Sequence, residues 1–541
     1  MPPAARALLA ITLSAACSNA ARHETAGAEK AGRERADAAF FAHIPADTPY
    51  LYASIEPVPR SFWRRLRPVA QAMLDAVPAP SGAGGPGSRF GAALLREVKA
   101  NLDEAGLLAR FGIGSHGRLA VYGIGLVPVI RVELADGRAL LATIERLRVE
   151  SGAVFPTARL GGRSYWRLAS DDGTLRVAAV VDGQLVLSVG PTASVDEALP
   201  LILGAQLPAS SMGSGGPVAA LAALHRFPAY GVGFVDIRRL IGVAMETARA
   251  RGHAPALSAA CMDELSDLLQ RVPRVVFGFD ELSGTRLTMR AVLETDAALA
   301  ARLEQLTADV PGLVGGLPAD RPFFAFGAGV DLAQAIVLVR DAADGIARMG
   351  RACALPDAVA RVERARAALS APSPAWFREI EGGLLSANHV GFGPDGKPNR
   401  IEGYLIAASE GPARLWELLR ARAAGRVLSV DADGQFHDAF AAGAVPGFGT
   451  VRVAIKPGAL VAAIGDEMAE AAERSLARSG RSPLLYMAYD YPRIAEAMAA
   501  RKRTPVVTPA ATMFLSMIGM SAIWTYPTDR GLAVAFSMEL R

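Results

Sequence analysis

Lysine is nearly missing from this chain. It occurs only at positions 30, 99, 397, 456 and 502, so the basic charge is almost entirely arginine. Acidic residues are interspersed throughout and leave a net +4 over 541 residues. Nucleic-acid binding needs basic residues concentrated on one face, and this distribution excludes it. Histidine is sparse as well: the seven residues are scattered, and none pairs with another at metal-ligand spacing. No Walker phosphate loop, nucleophile elbow or His-Glu-x-x-His helix occurs. Gly82-Ala-Gly84-Gly-Pro-Gly87 and Gly112-Ile-Gly114-Ser-His-Gly117 match the dinucleotide fingerprint in letters. That fingerprint works only between a strand and a helix N-terminus. The first match lies in a Pro-rich loop and the second leads into a strand. No catalytic residue, metal or cofactor is assigned.

Cysteine is scarce too, at Cys17, Cys261 and Cys353. Cys17 belongs to the leader described below. Cys261 and Cys353 fall in helical regions of adjacent blocks and admit two readings. In an oxidising compartment they pair; otherwise they are two buried thiols. Paired, they close a loop of about ninety residues, worth roughly 4–5 kcal/mol in the chain-entropy model.

Half of the residues are hydrophobic, so a large core is available, and the length suits three or four domains. One supersecondary pattern recurs four times, at 109–147, 266–306, 379–419 and 513–541. In the second copy Val275, Phe277 and Phe279 alternate. After Ser283-Gly284 the chain returns with Leu287, Met289, Ala291 and Leu293 on one face and Arg286, Thr288 and Arg290 on the other. Period two predicts an antiparallel hairpin with one buried face. The first copy places Ile130, Val132 and Leu134 inward and Arg131 outward. The last carries Leu532, Val534, Phe536, Met538 and Leu540 on one face. A strand leading into a helix is expected before each hairpin, at 50–55, 230–235, 323–330 and 451–455, with Asp236 and Asp331 as helix caps. Residues 163–200 add a further hairpin to the first block.

The predicted fold class is α+β: tandem strand-helix-hairpin-helix modules whose antiparallel sheets are covered by helices on one face. The expected organisation is a signal peptide over 1–16 and a lipidated cysteine with flexible tether over 17–40. Modules follow at 41–208 (with the extra hairpin), 218–310, 318–425 and 445–541.

Arg6 followed by a short apolar run to Ala16 is too short to span a bilayer and suits an export signal. Leu13-Ser14-Ala15-Ala16-Cys17 resembles the lipobox of bacterial lipoproteins, although Ser14 stands where leucine is preferred. The resemblance implies lipidation at Cys17, and Ser18 implies onward transfer to the outer membrane. Without lipidation the protein is periplasmic or secreted. The segment Arg60-Ser-Phe62-Trp63-Arg64-Arg65-Leu66-Arg67 is basic, aromatic and amphipathic. It reads either as a helix resting on anionic headgroups, with Arg60, Phe62, Trp63, Arg64, Arg65 and Arg67 in contact, or as a core helix with solvated arginines. The uncharged run 504–528 is long enough for a membrane helix, but Pro509 and Gly519 favour a soluble element. Asp431-Ala-Asp433-Gly434, with His437-Asp438, lacks the closing glutamate of a calcium loop and reads as a turn.

Ile44-Pro-Ala-Asp-Thr-Pro-Tyr50 and Val181-Asp-Gly-Gln-Leu-Val-Leu-Ser188 resemble segments of uncharacterised bacterial envelope lipoproteins that carry a domain of unknown function. The resemblance implies an exported α+β protein and supplies no activity. The expectation is a non-enzymatic binding or scaffold protein of the cell envelope. Its partners would be the membrane, through the lipid anchor, and an amphiphile or envelope protein held between sheet and helices. An envelope hydrolase with a site built from distant loops, and a purely structural surface protein, are the alternatives.

Overall fold

The computed structural model describes residues 37–54, 56–75, 85–114, 117–213, 216–228, 230–252, 257–369, 379–393, 398–422, 428–440, 450–465, 467–499 and 518–541. The leader, Cys17 and residues 18–36 lie outside them.

The first quarter of the fold holds β1 (Tyr50–Ser54), helices α1 (Arg60–Asp75), α2 (Pro86–Ala100) and α3 (Glu104–Phe111), the hairpin β2 (Leu119–Ile124) and β3 (Val127–Glu133), and α4 (Gly137–Ser151). A meander follows: β4 (Thr157–Leu160), β5 (Arg163–Ala169), β6 (Thr174–Val181) and β7 (Gln184–Pro191), then α5 (Thr192–Ile202) and α6 (Gly216–His225). Next come β8 (Val232–Asp236), α7 (Ile237–Ala250), α8 (Ala259–Arg271), β9 (Arg274–Leu282), β10 (Arg286–Glu294) and α9 (Ala297–Glu304). The second half runs β11 (Phe324–Gly329), α10 (Leu332–Ala352), α11 (Pro356–Leu369), β12 (Gly382–Phe392), β13 (Pro398–Ala408) and α12 (Pro412–Arg422). It ends with β14 (His437–Asp438), β15 (Val451–Lys456), β16 (Ala459–Ile464), α13 (Met468–Leu476), β17 (Leu485–Asp490), α14 (Tyr491–Ala499), β18 (Ile518–Thr528) and β19 (Gly531–Leu540).

Among the described residues the strands form one 19-stranded sheet, antiparallel at every pairing. The lateral order is β4-β5-β6-β7-β3-β2-β1-β8-β9-β10-β19-β18-β17-β11-β12-β13-β16-β15-β14. Each of the hairpins β2–β3, β9–β10, β12–β13 and β18–β19 pairs through its first strand with a lone strand from upstream. The lone strands meet in pairs, β1 with β8 and β11 with β17, and β10 meets β19 at the centre. The sheet is therefore continuous across the expected module boundaries. Among the described residues its outermost strands are the very short β4 and β14, which limits edge-to-edge association.

Aspartate starts the helices that follow three of the four lone strands, β8, β11 and β17. Asp236 accepts from the Arg239 amide at 2.8 Å, and Asp331 from the Gln334 amide at 3.0 Å. Asp490 accepts from the Arg493 amide at 3.3 Å. Each carboxylate satisfies an amide that the helix leaves unpaired.

Four sequence expectations are corrected. The segment 451–455 is no strand leading into a helix: it lies in β15 and turns through Pro457-Gly458 into β16, with Gly458 at φ +74°. The lone strand of the last hairpin is β17, whose Asp490 supplies the helix cap. The stretch read as a tether to residue 40 ends earlier, because residues 37–41 are helical and Phe40 and Phe41 are buried, with rings edge to face at 5.5 Å. The sheet is not covered on one face only. Tyr122, Val129 and Val177 pack under α5 and α6 on one side, whereas Leu119, Val132 and Leu134 pack under α1–α4 on the other. With both faces covered there, Arg131 is not outward but fully buried.

Candidate functional site

The two faces of the sheet are filled differently. On the back face a row of opposed residues crosses the centre: Thr288, Ser537, Ala522, Ala488, Ala325, Ser386 and Tyr404. From Ser537 to Tyr404 every one is buried. Small side chains let α13 and the 306–322 loop approach closely, and Leu384, Ile406, Ala472 and Tyr486 complete that core.

The next residue along each strand points to the front. Met289 stands opposite Phe279 and Phe536, and Phe536 opposite Ile523. Ile523 stands opposite Met487, Met487 opposite Phe326, Phe326 opposite Leu385, and Leu385 opposite Leu405. Directly opposed residues share a face, so these side chains make one unbroken apolar row over eight strands, about 34 Å at ~4.8 Å per strand. Met289, Ile523, Phe326, Leu385 and Leu405 are 37% to 45% exposed. The flanking rows, Leu287-Met538-Ser521-Tyr489-Phe324 and Ala291-Val534-Thr525-Leu485, contain no charge. Monomeric proteins rarely show contiguous apolar patches above a few hundred Å². Among the described residues this floor is an uncharged, apolar surface.

Helices wall the floor at both ends of the same face. At one end α1 drives Phe62 and Trp63 into a core with Leu95, Phe111, Val132 and Leu147, and Leu282 and Leu287 of the floor's edge join it. At the other, α12 covers Ala407 and Leu460 with Leu415 and Trp416. The proposed headgroup-contact segment is thus split. Phe62 and Trp63 are buried and unable to meet a bilayer, because the helical period turns them to the sheet. Arg60, Arg64, Arg65 and Arg67 lie on the exposed side, and the Arg65 Nε–H donates to the Gly284 carbonyl in the β9–β10 turn at 3.3 Å. That contact sets Arg65 beside the turn at the floor's edge.

Polar clusters elsewhere are closed. Arg131 donates to Tyr122 Oη at 2.9 Å, to Gln184 Oε1 at 2.8 Å and to the Ile202 carbonyl at 2.7 Å. Burial raises the Tyr122 phenol, so the cage is neutral around the guanidinium. Nearby, burial and then Arg131 depress His43 to about 4, and its Nδ1 has no partner. His225 Nε2 meets Glu294 Oε1 at 2.8 Å, and Arg274 grips the same carboxylate. Burial pushes Glu294 up, but the bonds from His225 and Arg274 outweigh it and hold it below the usual range. A cavity of about 170 Å³ adjoins Asp236, Arg239 and Arg274, whose charges are already paired. In the second half Tyr404 Oη and Asn388 Nδ2 donate to Asp320 Oδ2 at 3.0 and 3.1 Å, and burial lifts Tyr404 to about 12. None of these clusters hydrogen-bonds a hydroxyl nucleophile to a histidine.

Cys261 and Cys353 form a disulfide, Cα–Cα 4.6 Å, joining the start of α8 to the end of α10. Asp433 accepts from His437 Nε2 at 2.8 Å within a surface turn, raising the imidazole and lowering the carboxyl. Among the described residues no three His, Cys, Asp or Glu side chains gather as metal ligands. Among them, too, no helix is long and apolar enough to cross a membrane. The 504–528 run ends in β18, and its residues before 518 lie outside the description.

Nothing in the sequence marked the floor as uncovered. Alternation groups its side chains on one face and carries no signal of which face receives a helix. Comparison with family models, curated proteins and solved structures finds no match.

Proposed function

We propose that this protein is a non-enzymatic binding protein of the bacterial cell envelope. It is tethered through a lipidated Cys17 and takes an apolar partner on the front face of its central sheet. The exposed row from Met289 to Leu405 carries this reading. Leaving a large aliphatic or aromatic side chain half in water forgoes roughly 1 kcal/mol of the ~1.5–3 kcal/mol its full burial supplies. A row of them is recovered only when something covers it. The recurring lone-strand-plus-hairpin arrangement fits duplicated modules, which together make a floor wider than one module provides. The paired or enclosed state of each polar cluster favours binding over catalysis.

The test is binding of Nile red, a neutral apolar dye, to the purified chain, together with metabolic labelling by a fatty-acid analogue. Dye binding is expected to fall at least fivefold in Phe326→Asp/Ile523→Asp, and the native chain is expected to carry the label at Cys17. Unchanged dye binding removes the proposed face, and an unlabelled chain cleaved away from Cys17 removes the anchor.

A further inference from the structure

We propose that the exposed floor receives amphipathic α-helices of a partner protein, on the face that α1–α4 cover in the first half of the sheet. This inference rests on the binding reading given above and names its partner.

The sheet has two halves of matching order, which meet where β10 pairs with β19. Outward from that pairing the strands run β10-β9-β8-β1-β2-β3-β7-β6-β5 on one side and β19-β18-β17-β11-β12-β13-β16-β15-β14 on the other. Each side reads hairpin, two lone strands, hairpin, meander. Chain order agrees, because each half runs lone strand, hairpin, meander, lone strand, hairpin. Strand for strand, β11, β12 and β13 stand where β1, β2 and β3 stand.

The front face is continuous from one half to the other. Its row of opposed residues passes from Val534 and Ala291 through Phe277, Gly233 and Tyr52 to Val121 and Ile130. In the first half helices cover it: Tyr52 and Ile130 share a core with Phe62 and Trp63 of α1, Leu95 and Val98 of α2 and Phe111 of α3. These helices arise between β1 and its hairpin. The same place in the second half, between β11 and its hairpin, yields α10 and α11, and no residue of either joins the cores of that half. Helix α10 is instead tied through Cys353 to Cys261 of α8 in the first half. After the hairpins the halves agree again. Helix α4 packs Leu140 and Leu147 on the front of one, and α12 packs Leu415 and Trp416 on the front of the other. Among the described residues the second half thus keeps the face, with Phe326, Leu385 and Leu405 exposed, and lacks the helices that cover its twin.

The covering helices show what the face accepts. Helix α2 buries Leu94, Leu95 and Val98 and exposes Arg96. Large apolar side chains at helical spacing, with polar residues opposite, are how amphipathic helices dock. Packed helices lie about 8–10 Å apart, so a row of about 34 Å has room for several. At about 4.8 Å between strands and 6.7 Å between side chains on one face, the three floor rows cover roughly 540 Å². Matched by a partner, that is about 1,100 Å² in total, above the ~1,000 Å² expected of a specific interface.

The experiment titrates the purified full chain with a fluorescent helical peptide of about 18 residues, with leucine at i, i+3, i+4 and i+7 and alternating glutamate and lysine elsewhere. A scrambled peptide of the same composition is the control. The striped peptide is expected to bind at least tenfold more tightly than the scrambled one and to displace Nile red. Phe326→Asp/Ile523→Asp is expected to weaken it at least tenfold, with a parental circular-dichroism spectrum and urea midpoint. Equal binding of the two peptides, or binding that survives the double substitution, overturns the helix assignment. No peptide binding, with Nile red bound by the parent and lost in the double variant, also overturns it and leaves the binding face standing. Without peptide binding, phospholipid retained from phosphatidylglycerol vesicles assigns the face to lipid, and a dimer that Phe326→Asp dissolves assigns it to a second copy; each overturns the proposal. A chain that binds neither dye nor peptide removes the face and the proposal together.

Discussion

Ala325 and Phe326 are neighbours on β11 with opposite surroundings: the alanine is 3% exposed and the phenylalanine 44%. The same inversion holds between Ala522 and Ile523 on β18. At these positions the central sheet buries the small residue and presents the large one. Enlarging a back-face residue should therefore cost more than removing a front-face one. Ala522→Leu is expected to lose about 1–3 kcal/mol by overpacking. Phe326→Ser should stay within about 1 kcal/mol of the parent. Urea denaturation of the two variants checks the contrast.

Arg131 is buried with only neutral acceptors around it. Arg131→Ala strands the Tyr122 hydroxyl, Gln184 and the Ile202 carbonyl, each worth about 1–3 kcal/mol when left unpaired. A loss of at least ~3 kcal/mol is expected, and Arg131→Met, which removes the charge but keeps most of the volume, should lose less. Thermal and chemical unfolding of both variants measure the order.

His43 carries a pH dependence of definite sign. Its folded value of about 4 lies below the ordinary 6.5, so the unfolded chain binds the extra proton first. The contribution is intact above pH 6.5 and drains away as pH falls towards 4, reaching roughly 2–3 kcal/mol. Urea midpoints at pH 7 and pH 4.5 should differ in that direction, and His43→Phe should flatten the slope across this window.

The Cys261–Cys353 bond spans 92 positions of sequence. In the chain-entropy model a loop of that size is worth about 4–5 kcal/mol. Cys261→Ser/Cys353→Ser is expected to lower stability by up to that amount. Hydrogen exchange should quicken first in α8 and α10, the helices the bond pins together. Equal exchange in the two forms would show that packing alone holds them.

Much of the local architecture is legible in the residues. Ser283-Gly284 and Asp182-Gly183 mark reversals that the strands make, and Asp236, Asp296 and Asp331 cap the helices that follow. The alternation in Leu287-Met289-Ala291-Leu293 and in Leu532-Val534-Phe536-Met538 correctly groups side chains that share a face. The sequence points to 451–455 as the strand before the last hairpin because β15 and β17 have similar apolar patterns, and only the pairing of β17 with β11 and β18 distinguishes them.

The sequence by itself determined the α+β class, the antiparallel hairpins and the helix starts at Asp236, Asp296 and Asp331, because turn chemistry, capping and period two act over a few neighbouring residues. It did not determine which side of each strand meets a helix. That choice follows from where elements distant in sequence come to rest: α1–α4 and α12 on the front, α5, α6 and α13 on the back. Among the described residues these layers stop short of the centre on the front and not on the back. No local pattern encodes where a layer stops.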